Sequence, residues 1–225
     1  MTLNFIADAW YFFKKNLVPL IVLIGSLLIP VNIFYALTIH YVPEIKRIEY
    51  LAMIPSLLVF PLYQCALILY ISSVVKSEVI STKQYYQLAL KLLFPLLGLY
   101  LLSTIAFITG LLLLIVPAII IMVRFSFAEF YCVLYKKAPI EAFKLSWNAT
   151  KEYKGVIFSG FIIIWLLTNI PFLITKKLFS SMELWNPVSI VLYHTAKSFF
   201  AILLTIFNFR IFSLTLENPE NEKPY

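Results

Sequence analysis

The chain has 225 residues, of which 62% are hydrophobic and 13% charged, and its mean hydropathy is +0.92. This composition leaves too little polar surface to cover a water-soluble globule, so it excludes an ordinary soluble domain. The net charge of +7 comes mainly from lysines between apolar stretches, which favours a membrane surface over nucleic acid as a partner.

Six apolar stretches of about twenty residues fill the chain, and short loops that carry lysines separate them. At about 1.5 Å per residue, each stretch can cross the ~30 Å hydrocarbon layer, alone or with some tilt. We therefore predict an all-α, polytopic membrane protein in which one membrane domain, residues 1–217, precedes a polar tail, 218–225. The predicted transmembrane helices are Leu17 to Ile39, Leu51 to Val75, Leu92 to Val116, Ala118 to Tyr135, Val156 to Ile174 and Val188 to Leu216.

Basic residues are concentrated on one side of these predicted helices. Counting loops and flanks gives eleven Lys and Arg on the side of both termini and four on the other. Because loops rich in Lys and Arg stay in the cytoplasm, we predict that both termini are cytoplasmic. The eleven are Lys14, Lys15, Lys76, Lys83, Lys91, Lys136, Lys137, Lys144, Lys151, Lys154 and Lys223, and the four are Lys46, Arg47, Lys176 and Lys177.

The chain repeats one plan three times, in which an amphipathic segment precedes a helical hairpin. The pattern Lys-x-Leu-x-Pro-Leu recurs where the first two segments join their hairpins, at Lys15 and Lys91, and is absent from the third. We predict three repeats, about 1–77, 78–136 and 137–217. The alternative is that lysine and proline recur by chance at membrane edges.

Each amphipathic segment carries an apolar stripe at helical spacing, which predicts a helix lying in the cytoplasmic interface. The second segment begins at a Ser81 or Thr82 N-cap, and the third begins at Pro139 with Glu141 in its first turn. The stripes are Leu3, Ile6, Trp10, Phe13 and Leu17, then Tyr85, Leu88 and Leu92, then Ile140, Phe143 and Trp147. We expect lipid, anionic in this leaflet, to contact Trp10, Lys14, Lys15, Phe143, Lys144, Trp147 and Lys151.

Four ionisable residues inside predicted helices form the candidate intramembrane polar site: Arg124, Glu129, His194 and Lys197. A charge at the bilayer centre costs at least ~2.5 kcal/mol, so such residues are functional candidates. In one interpretation Arg124, Glu129 and Lys197 face a cavity that holds a head group or relays protons. In the other, Arg124, Lys197 and Arg210 reach out to lipid phosphates and Glu129 is buried against one of them, with Lys197 or Arg124 favoured. Asn32, Gln64, Asn169 and Asn208 are expected to form hydrogen bonds between helices.

The chain contains few residues of the types that usually act in catalysis: one Asp, two His and two Cys. This stock does not suffice for a zinc site of ordinary spacing or an aspartyl dyad, and no nucleotide-binding or nucleophile-elbow motif is present. We predict a protein that is not an enzyme and takes no cofactor or metal.

The most specific local sequence runs from Gly110 through Val116-Pro117-Ala118 to Arg124 and Glu129, and then through an Ala-x-x-x-Ser-Trp segment at Ala142 to Trp147. This stretch resembles the YciC-like bacterial inner-membrane proteins and, more widely, the membrane domain of some glycerophosphodiester phosphodiesterases. The resemblance implies a six-helix protein of the bacterial inner membrane. It supplies no catalytic residues, and the chain lacks a phosphodiesterase domain.

Three hypotheses for the function follow. The leading one is a non-enzymatic envelope protein that organises lipid or a membrane-protein partner through its basic, aromatic cytoplasmic face. The second is a small transporter or channel that uses Arg124, Glu129 and Lys197, and the third is a lipid-modifying enzyme. A water-filled cavity that reaches those charges would favour transport, whereas a dry bundle would favour the first hypothesis.

Overall fold

The computed structural model describes residues 1–42 and 48–217, and throughout this part of the chain the regular structure is helical, without strands. The helices are α1 (Thr2–Lys15), α2 (Leu17–Tyr41), α3 (Ile48–Val75), α4 (Thr82–Lys91), α5 (Leu93–Leu113), α6 (Ile115–Phe125), α7 (Ala128–Leu134), α8 (Pro139–Ala149), α9 (Lys154–Ser181) and α10 (Pro187–Glu217).

Six helical stretches are long and apolar enough to cross a membrane, which confirms the predicted class of an all-α, multi-pass membrane protein. These spans are Leu17–Tyr41, Tyr50–Val75, Leu93–Leu113, Ile115–Leu134, Lys154–Ser181 and Pro187–Leu216. The fourth span consists of α6 and α7 together. The predicted tail, 218–225, and the loop residues Lys46, Arg47 and Lys223 lie outside the described residues.

Two predicted boundaries are wrong. The turn between the third and fourth spans lies at Leu114, three residues before the expected Pro117. Here a Cβ on Gly110 would lie 3.0 Å from the backbone of Ala118, so glycine permits a close approach of α5 and α6. The fifth span continues to Ser181, past the expected end at Ile174, because the two lysines there are accommodated on an exposed helix surface.

Three short helices, α1, α4 and α8, precede the first span of each hairpin, and we call them the elbow helices. Ser81 is the N-cap of α4, and its backbone N–H donates to Gln84 Oε1 at 2.9 Å. Pro139 is the first residue of α8 and Glu141 lies in its first turn, as predicted. The side of the bundle that carries these helices is called the elbow side.

The buried faces of the elbow helices overlap the predicted stripes only in part, at Phe13 and Tyr85. Leu3 and Ile140, which belong to those stripes, are 67% and 63% exposed. The buried positions combine small residues with a few aromatic ones, because small side chains let the elbow backbone approach the spans. These positions are Phe5, Ala9 and Phe13 in α1, Tyr85 and Ala89 in α4, and Ala142 and Ser146 in α8.

The elbow helices also connect the hairpins. Helix α4 packs on α3 and α8 packs on α7, so each contacts the span that precedes it in the chain. Helix α1 packs on α10, the last span, and thereby closes the arrangement. The spans α3, α7 and α10 meet at a core that includes Phe127, Phe130, Phe207 and Phe212.

Candidate functional site

The fourth span is interrupted inside the bundle. Helix α6 ends at Phe125 and α7 begins at Ala128, so Ser126 and Phe127 lie between them. The hydroxyl of Ser146, from α8, accepts a hydrogen bond from the Phe127 N–H at 3.1 Å and donates one to the Arg124 carbonyl oxygen at 2.6 Å. Backbone groups that the interruption leaves unpaired are thus bonded by an elbow helix, as the interior of a membrane requires.

Glu129 lies in the first turn of α7 and takes part in a polar cluster that joins three spans. The Nε2 of Gln64, on α3, donates to Glu129 Oε2 at 2.9 Å and to Thr205 Oγ1, on α10, at 2.8 Å. Both amide hydrogens of Gln64 are therefore used, and the carboxylate is held by a neutral donor. This bears out the expected role of Gln64 as a hydrogen bonder between helices.

Two other polar atoms near this cluster lack partners. The hydroxyl of Tyr100, on α5, lies close to the Glu129 carboxylate but is buried without a hydrogen bond of ordinary geometry among the described residues. The Oδ1 of Asn208, on α10, is also buried and unpaired there. Buried polar atoms without partners are costly, so Asn208 Oδ1 marks a place where a bound molecule would gain a hydrogen bond.

These residues line a cavity of about 420 Å³ between α3, α5, the fourth span, α9 and α10. Phe60, on α3, and Phe107, on α5, line the cavity and are also 38% and 41% exposed, so residues of the cavity wall reach the outer surface of both spans. Its polar lining consists of Gln64, Ser103, Ser126, Glu129, Thr205 and Asn208 together with the hydroxyls of Tyr63 and Tyr100, and the rest is apolar. The volume is within the range of ligand-binding pockets.

Arg124 is directed away from this cavity. Its Nη1 donates to the Trp147 carbonyl oxygen at 3.1 Å and lies 3.5 Å from Thr150 Oγ1, and its guanidinium lies 5.4 Å from the centre of the Trp147 ring. Arg124 therefore joins the fourth span to α8 through hydrogen bonds and a cation–π contact. A role for Arg124 inside the cavity is excluded by this geometry.

His194 and Lys197 lie on α10 nearer its start than the cavity-lining residues and do not line the cavity. The His194 ring packs edge-on against Tyr35 and Tyr193, and Lys197 is exposed. The nearby Asn32 donates to Thr195 Oγ1 at 2.9 Å, as expected of a hydrogen bond between helices. The structure thus separates the four residues of the predicted polar site and brings Glu129 alone into the cavity.

The predicted ion pair of Glu129 with Lys197 or Arg124 is also wrong. The ion pairs among the described residues join Lys137 to Glu141 at 2.6 Å and Arg210 to Asp8 at 3.2 Å. In place of a basic residue, the neutral amide of Gln64 donates to the Glu129 carboxyl group. Asn169 also differs from expectation, since it donates to the Trp165 carbonyl oxygen of its own helix.

The predicted lipid-contact residues fall into two groups. Lys14, Lys15, Lys144 and Lys151 are exposed on the elbow side, so their contact with lipid stays a prediction. The aromatic residues also contact other rings, since Phe143 packs against Phe125 and Trp147, and Trp10 stacks on Phe13. Contact of Trp10, Phe143 and Trp147 with lipid likewise stays a prediction.

Tyr100 and Thr205 are site residues that the sequence did not indicate. Both are ordinary components of apolar helices, and no local pattern distinguishes them from core residues. Gln64 and Glu129 were identifiable because an amide or a carboxylate within a span requires a partner.

The fold and the cavity define a multi-pass integral membrane protein with a polar cavity inside its helical bundle. Compared with protein-family models, curated proteins and solved structures, the chain has no match. The resemblance to YciC-like proteins therefore stays a prediction.

Proposed function

We propose that this protein is a non-enzymatic protein of the bacterial inner membrane that organises lipid by binding a lipid or similar amphipathic molecule in the cavity around Glu129. The observation that carries the proposal is a cavity with one polar cluster and an otherwise apolar and aromatic lining. A ligand with a polar head and an apolar chain matches both parts of that surface.

The opening of the cavity supports a ligand that comes from the bilayer. Phe60 and Phe107 line it and are also exposed, so a chain that emerges between them meets lipid and avoids water. Glu129 is the carboxylate of the lining, and it has no histidine or second acid beside it among the residues that surround the cavity. Such a group suits binding better than hydrolysis, which needs a paired acid and base.

Transport is the second candidate, because the cavity does reach one of the intramembrane charges. A carboxylate in a cavity is a common part of proton or cation pathways. A transport pathway here would use Glu129 and Gln64, since Arg124 and Lys197 lie outside the cavity.

The exposed lysines of the elbow side favour a second, weaker lipid contact. We propose that Lys14, Lys15, Lys144 and Lys151 meet anionic head groups of the cytoplasmic leaflet or the acidic surface of a membrane-protein partner. Each lysine near such a leaflet contributes about 1 kcal/mol, which salt would screen.

Native mass spectrometry of the gently extracted, full-length protein tests the lipid-binding proposal. We expect at least one lipid to remain bound to the wild-type chain. Ser103→Phe should remove it, because Ser103 lines the cavity and a phenyl ring would fill space that the ligand needs. Thr104→Phe is the matched control, since the neighbouring Thr104 is exposed and lies outside the cavity.

Equal lipid occupancy in Ser103→Phe and Thr104→Phe would contradict the proposal, provided that both variants melt at the same temperature. Uptake of an ion or small solute by reconstituted vesicles, abolished by Ser103→Phe without any bound lipid in the extract, would favour transport.

We also propose that both termini are cytoplasmic, on the basis of the eleven-to-four distribution of Lys and Arg. Reporter fusions after Tyr225 and near Glu49 should then show opposite sides of the membrane. A periplasmic C-terminus would overturn this orientation and the leaflet assigned to the elbow side.

A further inference from the structure

The charge of the cavity narrows the chemistry of its ligand. Among the described residues that line it, Glu129 is acidic and no lysine, arginine or histidine is present. The carboxylate has no ion-pair partner elsewhere in the described part of the chain. When Glu129 is ionised, it therefore gives the cavity a negative charge that no described residue balances.

The hydrogen-bonding groups around Glu129 include several acceptors. Gln64 donates to Glu129 Oε2 and Thr205 and has no amide hydrogen left for a ligand. Glu129 Oε1 and the unpaired Asn208 Oδ1 are acceptors, and the Tyr100 hydroxyl lies beside the Glu129 carboxylate. A ligand that carries several N–H donors would satisfy these acceptors together, whereas a phosphate or carboxylate would bring a second acidic group beside Glu129.

Aromatic rings surround the same space. Phe60 packs 5.1 Å from Tyr100 and 5.4 Å from Tyr63, measured between ring centres, so two of the phenol rings share a phenyl neighbour. Ring faces attract organic cations, and most strongly where water is excluded. The aromatic lining consists of Phe60, Tyr63, Tyr100, Phe107, Phe125, Phe130 and Phe161.

From these features we infer that the cavity takes the ammonium head of an amphipathic amine, with Glu129 as its counter-ion and the alkyl chain directed toward the bilayer between Phe60 and Phe107. This inference rests on the proposed function and adds the class of head group. Lipids with an amine head and free alkylamines share this chemistry.

The test uses the full-length protein in nanodiscs and three probes with the same twelve-carbon chain: dodecylammonium, dodecanol and dodecyl sulfate. Saturable binding is followed by the rise in melting temperature with probe concentration. Ser103→Phe identifies binding within the cavity, because all probes also partition into the bilayer. We expect the cavity-dependent affinity for dodecylammonium to exceed that for dodecanol about tenfold, and dodecyl sulfate to bind least.

Glu129→Gln tests the counter-ion, since glutamine keeps the size of the side chain and removes the charge. It should abolish the preference for the amine. Glu141→Gln is the matched control, because Glu141 is an exposed carboxylate on α8 and should leave the preference unchanged. Glu129→Asp retains the charge and should retain a preference, which provides a second variant if Glu129→Gln does not fold.

Dodecanol binding equal to that of dodecylammonium, with both abolished by Ser103→Phe, would overturn the inference and leave the proposed function standing. An amine preference that persists in folded Glu129→Gln would likewise overturn it. Binding that Ser103→Phe does not affect, for every probe, would contradict both. A wild-type lipid extract enriched in amine-headed lipid would identify the natural source as lipid, and a free alkylamine in the bound mass would identify a soluble one.

Discussion

Gly160 and Phe207 form a tight contact between α9 and α10. A Cβ placed on Gly160 would lie 2.0 Å from Phe207 Cζ, so the phenyl ring rests directly on the backbone of α9. Gly155, five residues earlier on the same helix, would meet nothing within 4 Å. The close packing therefore requires glycine at position 160 but not at position 155, since only a packed glycine needs to lack a side chain.

We predict that Gly160→Ala lowers the stability of the extracted protein by about 1–3 kcal/mol, because the added methyl group forces Phe207 out of its position. Thermal unfolding followed by circular dichroism measures the change. Gly155→Ala should be neutral or slightly stabilising, as expected of an exposed helical glycine. Phe207→Leu should reduce the cost of Gly160→Ala, and equal melting temperatures for the two alanine variants would contradict the packing of α9 on α10.

The candidate site was partly predictable from the chemistry of individual residues. Glu129 was identified because an unpaired carboxylate inside a span is costly. The residues that complete its hydrogen-bonded cluster could not be identified in this way. Gln64 and Thr205 lie 65 and 76 residues away on other helices, and helical periodicity does not say which helix faces which. The expected pairing with a basic residue failed for the same reason.

At the scale of elements, the elbow helices show what an amphipathic pattern does and does not specify. Their existence, the N-cap at Ser81 and the proline at the start of α8 followed from local rules. Their buried faces did not, because in a membrane the most apolar stripe gains nothing by facing protein in preference to lipid. Small residues such as Ala142 and Ser146 take the protein contacts instead.

Ser146 gives the clearest test of an elbow contact. Its hydroxyl bonds two backbone groups beside the interruption of the fourth span, Phe127 N–H and the Arg124 carbonyl. Ser146→Ala should therefore destabilise the protein by about 1–3 kcal/mol, because it leaves both groups buried and unpaired.

Ser181→Ala is the control for that variant, since the exposed Ser181 hydroxyl bonds only the Leu178 carbonyl of its own helix in the described structure. Differential scanning fluorimetry of both variants in the same detergent measures the difference. Equal shifts would mean that α8 is held by lipid and not by the fourth span.

For the whole molecule, hydropathy predicted the number, order and approximate bounds of the spans, since each must cross the same apolar layer. It did not predict that α1 returns to α10. This contact combines Asp8 with Arg210 at 3.2 Å and Phe13 with Phe199 at 5.0 Å between ring centres. Local sequence carries no information about such a contact, because the residues are about 200 positions apart. The boundaries of the three repeats stay a prediction.

The closure of the bundle can be tested by a cross-link at the start of α1. The hydroxyl oxygens of Thr2 and Ser159, on α9, lie 2.9 Å apart, so cysteines at these positions would be close enough to form a disulfide after a small adjustment. We predict that the Thr2→Cys, Ser159→Cys double variant forms an intramolecular disulfide under mild oxidation, seen as one cross-linked peptide by mass spectrometry. The native Cys65 and Cys132 are buried and should not compete.

Thr2→Cys with Ser181→Cys is the matched control for this cross-link. Ser181 ends the same helix, about 33 Å from Ser159 along its axis, and therefore lies far from α1. If α1 closes the bundle, the first pair should react quickly and the second should not react within one molecule. A yield for the first pair as low as that for the second would mean that α1 does not stay against α9. The contact between α1 and the last hairpin would then be absent, and the three hairpins would be held together by their spans alone.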